Sequence, residues 1–277
     1  MSVSLQSDDG AEPGRLAADI ERATLDAVPP TYRVELQGWL LGIDQGTVWR
    51  AKSAAPLLHL SSLAESTEQV AARYRDAGLQ PCFRLPDLPE LQGVHTCLTQ
   101  QAFSPGSATH VQWVDAAELE SHLVAANIAV SRDRSSAPAP CDGRVLLSDF
   151  PDPAWCAVFL GDGFDPVDGA SRTEILKRAA HACYASVQEE GRTVAVGMGS
   201  FSHGWASIHG MRTLPESRGR GHARSIIGRL LHEARRRQLG RLFLQVENAN
   251  QTARSIYGSL GFKDLWTYRY WLPERSE

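Results

Sequence analysis

Arg218-Gly219-Arg220-Gly221-His222-Ala223 is a short turn of alternating arginine and glycine that runs straight into an amphipathic helix. The first amides of a helix have no intrahelical acceptor, and the aligned peptide dipoles add roughly half a positive charge at that end. Such a turn can seat a phosphate or pyrophosphate. Spacing narrows which one. A Walker loop requires Gly-x-x-x-x-Gly-Lys-Ser/Thr, and no lysine stands near this turn. A dinucleotide fingerprint requires a third small residue three positions after Gly221, where Arg224 stands instead. An arginine there would obstruct the close helix–strand contact that a third glycine permits.

The elements that must position the turn are legible around it. Ala223, Ile226, Ile227, Leu230, Leu231 and Ala234 fall on one helical face, three arginines (235–237) crowd the last turn, and Gly240 occupies the expected left-handed C-cap. Cations stabilise any helix C-terminus, so the arginines need no ligand. Arg241–Val246 reads as a largely buried strand. Asn250 can cap a short helix carrying Ala253, Ile256, Tyr257 and Leu260, which Gly261 stops, and Trp266–Leu272 reads as a closing aromatic strand. Upstream, Thr193–Phe201 and Trp205–Met211 flank Ser202-His203-Gly204 as a hairpin. The order is hairpin, phosphate turn, helix, strand, helix, strand.

Two motifs in that order carry a family resemblance. Arg218-x-x-Gly221-x-Ala223 resembles the acetyl-CoA pyrophosphate loop of the GCN5-related N-acetyltransferases (GNAT), and Asn250-x-x-Ala253-x-x-x-Tyr257-x-x-x-Gly261-Phe262 is similar to the family's second signature at the expected distance. The resemblance spans Val194 to Trp271. It implies a mixed central sheet flanked by helices, an α/β arrangement, with acetyl-CoA as co-substrate, no metal, and direct transfer to a small-molecule or protein amine. The amides of Gly219, Arg220, Gly221, His222, Ala223 and Arg224 would hold the pyrophosphate, with the Arg220 and Arg224 side chains adding charge. Met211-Arg212-Thr213 matches the strand end whose backbone pairs with the pantetheine arm and polarises the thioester carbonyl. Tyr257 matches the general acid that protonates the departing thiolate; it also shares an apolar helix face, which a packing tyrosine would do. Asn250 is either a cap alone or a cap that also contacts the coenzyme arm.

An amine must be neutral to attack a thioester, so a base is needed. Glu247, just beyond a strand end that faces the acceptor cleft in the family, is the first candidate. Glu216 is the second, and His203 and His209 are weaker ones. Transfer of a longer acyl group and a coenzyme-A-binding regulatory protein without turnover are the alternatives, since the loop reads the pyrophosphate and not the acyl chain.

Composition fits a soluble enzyme of two modest domains: 277 residues, 30.3 kDa, formal net charge −4. That charge is against general nucleic-acid affinity. Residues 1–140 carry 10 Lys+Arg and 17 Asp+Glu, a balance of −7; residues 141–277 carry 18 and 15, a balance of +3. The positive half is the one expected to hold an anionic coenzyme. Five cysteines without Cys-x-x-Cys spacing suggest reduced thiols in a cytoplasmic protein, and no apolar run reaches the length of a membrane span. The first 30 residues lack a basic region followed by an apolar core, so a secretory signal is not expected; they read as a flexible leader within which Leu16–Leu25 can form a short helix.

The N-terminal half, residues 31–130, reads as a smaller α/β domain. Tyr32–Leu41 and Thr47–Ala54 look like strands paired around a Gly42–Gly46 turn, followed by a helix over Leu63–Asp76, strands at Cys82–Leu85 and Val111–Val114, and a helix over Ala116–Ala125. This order echoes the acetyltransferase half without its phosphate loop. The half is therefore either a degenerate tandem copy, as in two-domain family members such as mycothiol synthase, or an unrelated cap. Residues 131–144, polar and Pro/Ser-rich, read as a linker, and 145–277 as the acetyltransferase domain. Trp155–Phe164 and a helix over Arg172–Val187 are expected to supply the acceptor side, and Asp162, Asp165 and Asp168 to lie in a solvated loop.

Overall fold

In the computed structural model, which describes residues 13–132 and 145–274, the chain runs α1 (Pro13–Ala27), β1 (Tyr32–Leu36), β2 (Trp39–Ile43), β3 (Ala54–Pro56), α2 (Thr67–Asp76), β4 (Phe83–Pro86), α3 (Gln92–Gln100), β5 (Phe103–Asp115) and α4 (Ala116–Arg132). It continues β6 (Val145–Ser148), α5 (Pro153–Ala157), α6 (Pro166–Leu176), β7 (Ala182–Glu189), β8 (Arg192–Ser202), β9 (Trp205–Thr213), α7 (His222–Arg236), β10 (Arg241–Glu247), α8 (Gln251–Ser259) and β11 (Lys263–Pro273). All eleven strands join one sheet in the order β1-β2-β3-β4-β11-β5-β10-β9-β8-β7-β6. Its parallel neighbours are β3 with β4 and β10 with β9.

That order exchanges the last strand of each half. β5 from the N-terminal half lies against β10, while β11 from the C-terminal half lies between β5 and β4. Seven register pairs join β5 to β10, and nine join it to β11. Residues 31–130 and 145–274 therefore share a single sheet, and neither half keeps a closed one of its own. The order β3-α2-β4-α3-β5 repeats the order β9-α7-β10-α8-β11, as a degenerate tandem copy requires. Before α2 the place of the glycine turn is taken by a 3₁₀ turn, Ser61–Ser66, with Leu63 and Ser66 buried.

Several expectations change. The helix read over Leu16–Leu25 is present and longer, α1 over 13–27, but it is no flexible leader, since Ile20, Ala23 and Leu25 are buried against the sheet; residues 1–12 lie outside the described residues. The first hairpin turns at Gln37-Gly38, both with positive φ (47° and 84°), not at Gly42–Gly46. Gly42 is already strand, its α-carbon so close to Ala51 that a Cβ would lie 2.4 Å from the Ala51 carbonyl oxygen. The helix expected over Arg172–Val187 ends at Leu176, and Ala182–Glu189 is β7. Alanine, cysteine and valine fit either period, and pairing on both sides with β6 and β8 decides for the strand. Helix α3 was not anticipated. The left-handed residue closing α7 is Gln238 (φ 59°), not Gly240. Of the expected linker, Ser131 and Arg132 extend α4, and 133–144 lie outside the described residues.

Helix α7 is where sequence and packing agree most closely. Ile226, Ile227, Leu230, Leu231 and Ala234 are all buried, worth about 1.5–3 kcal/mol for each large side chain removed from water. Gly197 on β8 lets the helix approach, since a Cβ there would meet Met211 Sδ at 2.4 Å and Ile226 Cγ2 at 2.8 Å. The N-terminus of α7 is thereby fixed over the end of β9.

Candidate active site

Gly219 (φ +76°) and Gly221 (φ +83°) hold the turn before α7 in left-handed backbone. A Cβ on either would meet nothing within 4 Å, so dihedral angle and not crowding demands glycine. None of the backbone N–H groups from Gly219 to Arg224 has an acceptor among the described residues; helical bonding starts with Ser225, whose N–H donates to Gly221 O at 3.1 Å. Six adjacent donors at a helix start form a strong local attraction for an anion.

Glu189, at the end of β7, ties the turn down. Its carboxylate accepts from Ser217 Oγ (3.2 Å) and Arg220 (2.9 Å) and lies 3.1 Å from His222 Nε2. Nothing in the sequence pointed to it, because it sits 31 positions from Arg220 at a hairpin end. Its position corrects the expectation for Arg220, whose guanidinium also donates to Glu216 O and is engaged with the protein. His222 is buried, which leaves its backbone amide as its contribution. Arg218, whose Nε donates to Thr213 O, and Arg224, which donates to Ser259 Oγ, have no carboxylate within ion-pair distance among the described residues.

Beside the turn the sheet opens. β9 and β10 pair only at Ala206–Leu242, Ser207–Phe243 and Ile208–Leu244, and then part. A bulge on β9 at Gly210–Met211 shifts its register against β8 and turns the strand away. The cleft between them has a volume of about 820 Å³ and is lined by residues from both halves of the chain. Met211, Arg212 and Thr213 line it. Met211 Sδ reaches the space over Gly197, so the strand presents backbone to the gap, consistent with side-chain identities that carry little signal. Arg212 stacks over Phe164 at 4.1 Å and lies 3.6 Å from Asp168.

Tyr257 lines the cleft from α8. It is 9% exposed, burial pushes its phenol up to about 12, and its hydroxyl has no hydrogen-bond partner among the described residues. A protonated donor is thus held at the cleft wall. Asn250 accepts from the Ala253 N–H at 3.1 Å as the cap of α8 and also borders the cleft. Glu247 is exposed at the cleft edge, opposite Thr109 of β5. The other candidate bases separate. Glu216 pairs with Arg192 at 3.1 Å and His203 with Asp26 at 3.1 Å, and neither lines the cleft. His209 does line it. Burial, with the Arg50 charge adding, pushes its imidazole down to about 3, so the ring is neutral, and its Nε2 is buried without a partner.

The N-terminal half closes the opposite side of the cleft with Val28, Val48, Trp49 and Arg50, joined by Gln245, Tyr268 and Tyr270. Residues 44–49 are clasped to α6. Thr47 N donates to Ser171 Oγ and Thr47 Oγ1 to Asp168, both at 2.8 Å, while Asp44 accepts from Thr31, Gly46 and Arg178. Asp165 caps α6 through Val167 N, so two of the three aspartates expected in a solvated loop build structure instead. Sequence reading missed Trp49 and Arg50 because they lie far from both motifs, and Tyr268 and Tyr270 because an aromatic strand beyond Phe262 does not show which of its residues face a cleft.

A continuous mixed sheet split between two parallel strands, with a glycine turn and helix at the split, is the fold of the GCN5-related acetyltransferases in a tandem arrangement. The chain belongs to the family described as "Probable histone acetyltransferase Rv0428c C-terminal", which matches residues 17–271. It is 23% identical over 255 residues to the uncharacterized N-acetyltransferase YobR of Bacillus subtilis strain 168, covering 91% of this chain and 96% of that protein. Its fold is similar to that of a GCN5-related N-acetyltransferase from Kribbella flavida (TM-score 0.63, 14% identity, 94% of this chain and 96% of that one). It is also similar to that of a tandem GNAT protein from the clavulanic acid biosynthesis pathway (TM-score 0.56, 14% identity, 93% and 89%).

Proposed function

We propose that this acetyltransferase moves the acetyl group of acetyl-CoA to an amine by direct attack in a ternary complex. The observation that carries the reading is the run of six unsatisfied amides, Gly219 to Arg224, opening onto the same cleft that Tyr257 lines. The amides and the Arg218 and Arg224 guanidiniums, which have no carboxylate partner among the described residues, would take the pyrophosphate, and the unpaired edge of β9 would take the pantetheine arm as a neighbouring strand does.

In this scheme Glu247, through water, accepts a proton from the amine, whose lone pair then attacks the thioester carbonyl. Backbone N–H groups of β9 stabilise the oxyanion. The nitrogen gives up its second proton to solvent as collapse breaks the carbon–sulfur bond, and the Tyr257 hydroxyl donates its proton to the departing thiolate and is reprotonated from solvent. Acetyl-CoA should raise the melting temperature, and release of the coenzyme thiol should accelerate when amines are added. No shift at saturating acetyl-CoA would remove the loop assignment. Binding without transfer to any amine would favour a coenzyme-A-binding regulatory protein.

A further inference from the structure

Arg50 is a cation without a counter-ion among the described residues. It is half-buried on the 3₁₀ turn Trp49–Lys52, and among the described residues its guanidinium makes one hydrogen bond, a long one of 3.4 Å from NH1 to the neutral amide oxygen of Gln245. Among the described residues no carboxylate lies within ion-pair distance of it. Gln245 cannot serve as more than an anchor, because its Oε1 also accepts from Tyr268 at 3.0 Å and its Nε2 donates to Thr24 at 2.8 Å. Most of the five guanidinium donors are therefore unused on the cleft wall.

The surroundings are built to receive one particular kind of group. The turn is held in place by the Asp44 and Thr47 clasp to α6, so Arg50 is presented from a fixed backbone. Its charge acts on the Tyr270 phenol, which burial keeps protonated and able to donate, and on the neutral ring of His209, whose buried Nε2 has no partner. Tyr270 and Tyr268 hydroxyls lie 3.4 Å apart. Trp49, 39% exposed and 6.0 Å from the Tyr270 ring, supplies an apolar wall. Gln245 is bonded to Thr24 of α1, and Glu247, two residues further on the same strand, shares that face. The candidate base and the free cation thus belong to one side of the cleft.

The sign of the lining charge is equally one-sided. Among the described residues, Arg50, Arg172, Arg212, Arg218, Arg220 and Arg224 line the cleft, against Glu247 as the one carboxylate residue. Three of these arginines belong to the pyrophosphate turn, and Arg172 and Arg212 share Asp168. Arg50 remains. A basic peptide tail entering this cleft would meet like charge with a single acid to offset it.

Resting on the acetyl-transfer reading, we propose that the amine acceptor carries a carboxylate, received by the Arg50 guanidinium with the Tyr270 hydroxyl. The acceptor's amine points towards Glu247 and its apolar part lies against Trp49. Arg50 is a specificity residue here and takes no part in the chemical step.

The test is a matched panel: α- and ω-amino carboxylates, phenylalanine among them, the corresponding primary amides, and a lysine peptide blocked at both termini. Each is measured for binding to the coenzyme-A-loaded full chain by calorimetry and for transfer by release of the coenzyme thiol. At least one carboxylate should bind and react about 10- to 100-fold better than its amide, the range for a charge-assisted hydrogen bond. Arg50→Gln should bring that carboxylate down to the amide's level through KM more than kcat, and Arg50→Lys should restore part of the difference. The melting-temperature rise with coenzyme A alone reports that each variant is folded. Equal binding of every carboxylate and its amide, preference for the blocked lysine peptide, or equal losses for both forms in Arg50→Gln would overturn the proposal. Arg50-dependent carboxylate binding without transfer would leave the site standing and remove the acetyl-transfer reading. Transfer indifferent to the carboxylate would do the reverse.

Discussion

Replacing Tyr257 with phenylalanine isolates one hydroxyl. In the folded chain that hydroxyl has no hydrogen-bond partner among the described residues, so its removal leaves no buried group newly orphaned. The expected change in stability is within about 1 kcal/mol, or roughly 2 °C in melting temperature for a chain of this size. The chemical effect is far larger. Loss of a positioned general acid costs about 10²- to 10⁴-fold in rate, equivalent to about 3–5 kcal/mol of barrier. Because burial raises the phenol to about 12, it stays protonated throughout a normal assay, and the wild-type rate should show no alkaline fall from this group below about pH 11. Steady-state release of the coenzyme thiol gives kcat, and calorimetry gives acetyl-CoA affinity. In Tyr257→Phe, kcat should be lower by at least about 100-fold with affinity changed less than about threefold. Turnover within threefold of the wild type would make Tyr257 a packing residue, and lost acetyl-CoA affinity would make it a binding one.

Gly221→Ala forces a side chain into φ +83°, which costs about 1–2 kcal/mol, and should lower the melting temperature while weakening acetyl-CoA binding tenfold or more; an unchanged Kd by calorimetry would contradict the anion-seat reading. His209 titrates near 6.5 when unfolded but only near 3 when folded, so the unfolded state binds the extra proton between these values. Its contribution therefore erodes as pH falls from about 6.5 towards 3, by up to about 1.4 kcal/mol per unit, and urea titrations should show His209→Asn with a flatter acid limb. Glu21 and Arg84 form an ion pair in which both side chains are 1% exposed, so Glu21→Ala strands a buried guanidinium and should destabilise the fold by about 3–5 kcal/mol. The double replacement Glu21→Leu with Arg84→Met should recover most of that loss in thermal unfolding.

Local rules made much of the C-terminal half legible. The 3.6-residue period from Ala223 to Ala234, the Asn250 cap and the two glycines before α7 are each settled within a few residues, and the structure holds them at those positions. Where a stretch fits both periods, local pattern is insufficient. Ala182–Val187 suits helix spacing as well as strand alternation, and only the partners β6 and β8 select the strand. The Gly42–Gly46 turn failed for a related reason, since Gly42 serves a close approach to Ala51 and the chain reverses five residues earlier.

By itself, then, the sequence determined the left-handed glycine turn, the helix behind it and the capped helix that carries Tyr257, because capping, periodicity and left-handed glycine act over one or two turns of chain. Tertiary structure decided what stands opposite. Sheet pairing and packing between the two halves bring Tyr268, Tyr270 and the Trp49–Arg50 turn to one cleft, and the carboxylate of Glu189, 31 positions before Arg220, helps anchor the loop. Those contacts depend on which strand edges pair, and edge pairing is a competition among distant segments that no local spacing records.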